Sequence, residues 1–248
     1  MKSWFREPIV ALQFMTRLPM PSIGFDPDGL SHAAKYLPLV GLVIGLAASL
    51  LSHLLTPHLS RAPAALLVLT FLVMVTGALH EDGLADSADG FGGGWERGQV
   101  LAIMRDSRIG SYGAIAIVLS LLARFLLLST LSPDRFTAVV VSAQVLCRWT
   151  TLPLGRWMRP AREDDGQGVR IAQRVPPGSL FIGTVFTAAA VVWAFRTEAW
   201  VPAIVSIGVT LVSGLYFQHR IGGVTGDCFG ATNQLTEIAV YFCGVWHR

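Results

Sequence analysis

The sequence predicts an all-α fold: a polytopic membrane bundle of about six or seven spanning helices with an interfacial helix at the N-terminus. Three observations carry this prediction. Of 248 residues, 52% are hydrophobic and 14% are charged, where a soluble domain carries about 25% charged residues; the mean hydropathy is +0.55. Apolar runs recur along the chain at lengths near the roughly 20 residues that cross a bilayer as a helix. Basic residues concentrate in alternate connections between those runs, the asymmetry that orients membrane proteins.

The elements follow in order. Residues 1–34 include WFREPIVALQFMTRLPMP, apolar but broken by Arg6, Glu7 and Arg17. This segment is too short and too charged to span, which places it on the membrane surface. No cleavable leader precedes the first run, so that run is expected to stay in the mature protein. Spans are expected at 36–55, 63–79, 112–131, 136–155, 179–195, 199–217 and 234–246. The last is 13 residues long and carries Glu237, so it reads as a short tilted span or a re-entrant segment. Arg124 and Arg148 interrupt two of the spans, and an unpaired cation there is costly. Arg124 is expected to pair structurally. Arg148, nearer a span end, is expected to pair with acids or bind pyrophosphate.

The connections sort by charge. Residues 1–35 and the loops 80–111, 156–178 and 218–233 hold 13 Lys and Arg; the other connections hold only Arg61, Arg135 and Arg196. The positive-inside rule therefore puts the N-terminus and those three loops in the cytoplasm. The net charge of +3 follows from topology and gives no reason to expect nucleic acid. Cys147, Cys228 and Cys243 have the spacing of neither a disulfide framework nor a zinc site, and read as small apolar packers. No internal repeat or linker divides the chain, so 1–248 is expected to be one membrane-embedded domain.

HEDGLADSADGFGGGW at 80–95 gathers Glu81, Asp82, Asp86 and Asp89 directly after an apolar run. If the second span continues as a helix, Asp82, Asp86 and Asp89 fall at about 0°, 40° and −20° around it, on one narrow face. Like charges at that spacing repel, and a helix C-terminus disfavours anions. A hard divalent ion, Mg²⁺ or Mn²⁺, would relieve both penalties and bridge to phosphate. Gly83 and Gly90 would leave room for a ligand, and Gly92, Gly93 and Gly94 would form a turn whose amides face phosphate. Downstream, RDSRIGSYG adds Asp106 as a possible metal ligand and Arg105 and Arg108 as a phosphate clamp. The plainer alternative is a solvated acidic loop, with Asp106 paired to a neighbouring arginine.

A second polar cluster, HRIGGVTGDCFGATNQLTE, runs from 219 to 237. On a helix Asp227, Gln234 and Glu237 share one side, within roughly 80°. An intramembrane carboxylate such as Glu237 is a functional candidate by default. Asp227 and Glu237 are therefore candidate metal ligands, and Gln234 and His219 candidate substrate contacts. A helix-capping Asp227, an interhelical bond at Glu237 and a merely interfacial His219 are the plainer alternatives. RPAREDDGQG at 159–168 mixes both signs and could hold a large polar ligand.

HEDGLADSADGFGGGW, MRDSRIGSYG and TGDCFGATNQLTE strongly resemble the motifs of the cobalamin synthase family. FMTRLPMP, KYLPLVGLVIG and RWTT…AREDDG are similar too, and the likeness runs in order through nearly the whole chain. It implies a polytopic enzyme of the bacterial inner membrane that uses Mg²⁺. The family joins adenosylcobinamide-GDP to α-ribazole or its 5′-phosphate: the ribazole 3′-hydroxyl attacks the phosphoryl group next to the aminopropanol arm, and GMP leaves. The family's acidic motif falls on Glu81, Asp82, Asp86 and Asp89, and its second motif on Asp227 and Glu237. Asp82, Glu81 or Asp227 would serve catalysis, with the choice of base left open. Cys228-Phe229 is a local variation within the second motif. The implied partners are the corrinoid and ribazole substrates and the bilayer, with a homo-oligomer or a complex with other corrinoid enzymes as further possibilities.

Rival classes fit less well. CDP-alcohol phosphotransferases use a DG-x-x-AR frame, and Asp86 stands where their arginine would be. Membrane prenyltransferases share a two-cluster acidic layout. A transporter would hold its site near the midplane, whereas these acids gather at one membrane face.

Overall fold

The computed structural model describes residues 3–21, 29–162 and 175–246, with side chains from residue 6 onward. Helix dominates. Among the described residues the only β feature is an isolated parallel bridge between Pro160 and Val224. In chain order the helices are α1 (Ser3–Met15), α2 (Gly29–Ala33), a 3₁₀ turn (Ala34–Tyr36), α3 (Leu37–Leu55), α4 (Arg61–Thr76), α5 (Leu79–Gly93), α6 (Arg97–Ile103) and α7 (Ser111–Thr130). There follow α8 (Pro133–Trp149), α9 (Thr151–Trp157), α10 (Pro177–Phe195), a 3₁₀ turn (Arg196–Glu198), α11 (Trp200–Ile221) and α12 (Gly226–Trp246).

Four described stretches are long and apolar enough to cross a membrane: Gly29–Leu55, Ser111–Thr130, Pro177–Glu198 and Trp200–Ile221. A fifth crossing requires α4 and α5 to be taken together through an 84° bend. Each expected span coincides with a helix, but two have a different character. The run at 136–155 becomes α8 and α9, and every residue of α8 from Val139 to Arg148 is buried. This is the central helix of the bundle, wrapped by protein, so it can carry Ser142, Gln144 and Arg148 that a lipid-facing helix would not. The run at 234–246 starts earlier, as α12, and carries the second polar motif on its first turns. The expected loops at 80–111 and 218–233 are largely helical, and the α11–α12 connection is only residues 222–225.

The second span does not continue through the acidic motif. Gly77 and Ala78 both adopt left-handed conformations, with φ of 64° and 58°. The Gly77 N–H reaches the Met74 carbonyl (3.1 Å) and the Ala78 N–H reaches that of Val73 (2.9 Å), closing α4 as a C-cap. A non-glycine residue at positive φ costs about 1 kcal/mol, and here it buys a new helix direction. The Arg17 side chain lies where a Gly77 Cβ would project, and the Arg17 N–H donates to the Val75 carbonyl at 2.8 Å. The FMTRLPMP motif thus packs over the bend.

Small residues set the closest helix approach. On α3, Gly41 and Gly45 lie one turn apart; a Cβ on Gly41 would strike the Gln144 carbonyl of α8, and one on Gly45 would come within 2.8 Å of the Val141 Cα. Small residues at this spacing let helix backbones meet in a membrane. A Gly41→Ala variant is expected to lose about 3 kcal/mol through overpacking against rigid backbone, read as a lower melting temperature in detergent.

Candidate active site

The two acidic motifs come together where α5 crosses α12. The crossing point is glycine on glycine: a Cβ on Gly83 would meet the Asp227 carbonyl at 2.9 Å and the Gly230 Cα at 3.2 Å. Gly83 is therefore needed for the two helices to meet, and it also borders a cavity beside the crossing. Gly90 likewise faces Met104 and Val100, and Gly92 faces the Tyr112 ring. Gly92 and Gly93 form the last turn of α5, so they are packing glycines on a helix rather than the expected phosphate-binding turn.

Around this crossing the acids divide into three sets. The first is open. Asp82 is exposed in the first turn of α5, Asp86 is half-buried one turn on, and Asp227 is half-buried in the first turn of α12. Because α5 is a separate helix, Asp82 sits near its positive N-terminal end, where an anion is favoured; the expectation of a C-terminal position is reversed. Asp86 lies past the apolar part of the α4–α5 pair. Burial, then the charges of Asp227, Asp82 and Asp89, push its carboxyl up to about 7, with Arg162 opposing. Burial also raises Asp227, against the pull of Arg162 and a hydrogen bond from Thr225. Arg162 Nη2 stands 4.0 Å from Asp227 Oδ2, and Thr225 Oγ1 donates to the same oxygen at 3.2 Å.

Arg162 is placed by the β-bridge. The Ala161 N–H donates to the Val224 carbonyl at 2.8 Å, and the Val224 N–H to that of Arg159 at 2.9 Å. Arg162 also donates to the Leu101 carbonyl at 2.9 Å. It was not among the expected site residues, although it belongs to the AREDDG stretch; most of RPAREDDGQG lies outside the described residues. The exposed Arg105 is near enough to Arg162 for the two positive charges to oppose each other.

The second set is a buried ionic network. Arg124 Nη2 donates to Glu81 Oε1 at 2.7 Å, and its Nη1 to Glu237 Oε2 at 3.4 Å. Tyr241 Oη donates to Glu237 Oε1 at 2.9 Å, and Gln234 Nε2 to Glu81 Oε1 at 3.4 Å. Ser120 Oγ donates to Gln234 Oε1 at 3.1 Å. Gln144 Nε2 donates to Tyr241 Oη at 3.4 Å, and Arg148 Nη1 to Gln144 Oε1 at 2.7 Å. Glu81 and Glu237, expected as a catalytic group and a metal ligand, are occupied by Arg124. Gln234 and Arg148, expected as substrate contacts, are held inside the bundle. Arg124 pairs structurally, as expected.

The third set stabilises local structure. Asp89, expected as a metal ligand, accepts the Gly110 and Gly113 N–H groups at 2.7 and 2.8 Å. It is buried and caps α7, where helix amides favour a carboxylate. Asp106, another expected ligand, and Arg108, an expected phosphate clamp, bind each other at 2.6 Å on the surface. That contact holds the Asp106 carboxyl down to about 2. His219 is exposed near the end of α11.

Among the described residues, no three His, Cys, Asp or Glu side chains converge closely enough to hold a metal ion unaided. Asp82, Asp86 and Asp227 nevertheless fit a hard divalent ion in chemistry. They are mutually repelling carboxylates near one cation, Arg162. An incomplete protein shell suits Mg²⁺, which keeps waters and takes further ligands from substrate phosphates.

Residues 7–245 match the family described as cobalamin-5-phosphate synthase. A protein of Shewanella frigidimarina named adenosylcobinamide-GDP ribazoletransferase is 40% identical over 237 residues, 94% of this chain and 91% of its own length. Proteins of the same name from Sinorhizobium medicae and Pseudoalteromonas atlantica are 38% and 35% identical, covering 93% and 94% of this chain and 92% and 88% of their own lengths. No solved structure matches the chain.

Proposed function

The chain belongs to the cobalamin-5-phosphate synthase family, and on that footing we propose that it transfers the phosphocobinamide group of adenosylcobinamide-GDP to α-ribazole or its 5′-phosphate, releasing GMP. The observation that carries this reading is the α5–α12 crossing, which unites Asp82, Asp86 and Asp227 beside Arg162. Phosphoryl transfer asks chiefly for positioning and charge neutralisation, and this site offers both.

Asp82, Asp86 and Asp227 would hold Mg²⁺, which would neutralise charge on the diphosphate and draw off the leaving GMP. Asp227 is the favoured base. It lines the same cavity as Asp82, and the oxygen it does not give to the ion is free to accept a proton there. It would take the proton of the ribazole 3′-hydroxyl as the new 3′-O–P bond forms and the P–O bond to GMP breaks. Glu81, already ion-paired within the bundle, is set aside as base. Arg162 would hold the phosphoryl oxygens. The site faces the cytoplasm of a bacterial inner membrane in this reading, on the strength of the basic loops.

The test is GMP release by the purified chain from adenosylcobinamide-GDP and α-ribazole 5′-phosphate. Activity is expected with Mg²⁺, loss with a chelator, and recovery on restoring the ion. No release in Mg²⁺ would overturn the reading.

A further inference from the structure

A cavity of about 190 Å³ opens beside the acidic crossing. Phe14 and Met15 of α1, Leu79 of α5 and Phe229 of α12 give its lining an apolar part; Asp82, Asp227, Thr151 and Asn233 give it a polar part. The volume suits one bicyclic ring system, and a corrin macrocycle is far too large for it. His80 also lines the cavity. It is 4% exposed, and its Nδ1 is buried with no hydrogen-bond partner. A buried polar atom of that kind is costly unless something fills its need.

We propose that this cavity receives the benzimidazole base of the ribazole acceptor, with the ribose turned toward Asp82 and Asp227. The inference rests on the proposed reaction and adds to it a substrate-positioning and specificity site. A dimethylbenzimidazole is flat and largely apolar. Once N-glycosylated it keeps a single ring nitrogen as acceptor, so a single N–H donor on the lining satisfies it. A base seated against Phe229 and Phe14 shares the cavity with the Asp82 and Asp227 carboxylates, within reach of the ribose whose 3′-oxygen must react. This placement also gives Phe229, within the Cys228-Phe229 variation, a role in choosing the base.

The direct test compares α-ribazole with the riboside of unsubstituted benzimidazole, using the full chain in detergent. Burying a methyl group is worth roughly fourfold in affinity, so removing both should raise Kd and KM about 15-fold. In Phe229→Ala, KM for α-ribazole should rise about tenfold and the preference for methylated base should shrink, while KM for adenosylcobinamide-GDP stays unchanged. Equal binding of the two ribosides by the wild-type chain would overturn the proposal even if Phe229→Ala does not fold. So would a Phe229→Ala effect confined to the corrinoid substrate. Calorimetric binding of the ribosides separates this proposal from the reaction itself. Preferential binding without GMP release would leave the cavity assignment standing and overturn the reaction; GMP release without preference would do the reverse.

Discussion

Arg124→Met is expected to cost about 3–5 kcal/mol and to leave little folded protein, because it strips from two buried carboxylates the cation that contacts both. Glu81 and Glu237 both contact the Arg124 guanidinium, and all three side chains are at most 8% exposed. Without it, two negative charges would remain in the bundle interior, with Tyr241 donating to Glu237 and Gln234 to Glu81. The loss should appear in size-exclusion profiles and thermal melts of the detergent-solubilised protein. A triple variant, Arg124→Met with Glu81→Gln and Glu237→Gln, separates pairing from packing. Neutralising all three members removes the uncompensated charge, and replacing a whole buried ionic cluster is often neutral for stability. The triple variant should therefore regain most of the lost stability. Failure to regain it would mean that the shape of Arg124, rather than its charge, holds α5, α7 and α12 together.

That network shows which parts of the molecule are legible in the sequence. Hydropathy is a local property, and every apolar run became a helix. The positions of Gly77 and Ala78 are different. The apolar run crosses them without interruption, and Ala78 has no preference for the left-handed conformation it adopts. The 84° bend therefore left no clear mark beyond a single glycine. The spacing of Asp82, Asp86 and Asp89 did place them on one helix face. It could not divide their labour, because the deciding partners are distant in the chain. Asp89 is claimed by amides 21 and 24 residues away. Glu81 and Glu237 are claimed by Arg124, 43 and 113 residues away.

The glycines carry a related lesson. Gly83, Gly90 and Gly92 beside carboxylates read equally well as room for a ligand or room for another helix. Only the packing decides: Gly90 is filled by Met104 and Val100 and Gly92 by the Tyr112 ring, while Gly83 both meets α12 and borders the cavity. Arg162 escaped notice for the opposite reason. Its segment mixes charges of both signs, as solvated loops do. Nothing local shows that the bridge between Pro160 and Val224 delivers it to Asp227.

The division of the acids makes the second large effect specific. Asp82→Asn and Asp227→Asn are each expected to lower turnover at least about a hundredfold, the scale seen when one preorganised electrostatic contact to a transition state is lost. Both variants should insert and melt much like the wild type, since Asp82 is exposed and Asp227 half-buried. Asp89→Asn should behave oppositely. Its two oxygens serve the Gly110 and Gly113 amides, and an asparagine offers one acceptor oxygen where two amides need one each. The expected cost is about 2 kcal/mol of stability, with turnover per folded molecule nearly retained. GMP release normalised to the folded fraction measures the contrast. Equal losses of turnover in Asp89→Asn and Asp82→Asn would return Asp89 to the metal site; wild-type turnover in Asp82→Asn would remove Asp82 from it. The same spacing of aspartates on one helix face would then require another explanation for the exposed carboxylate at the mouth of the cavity.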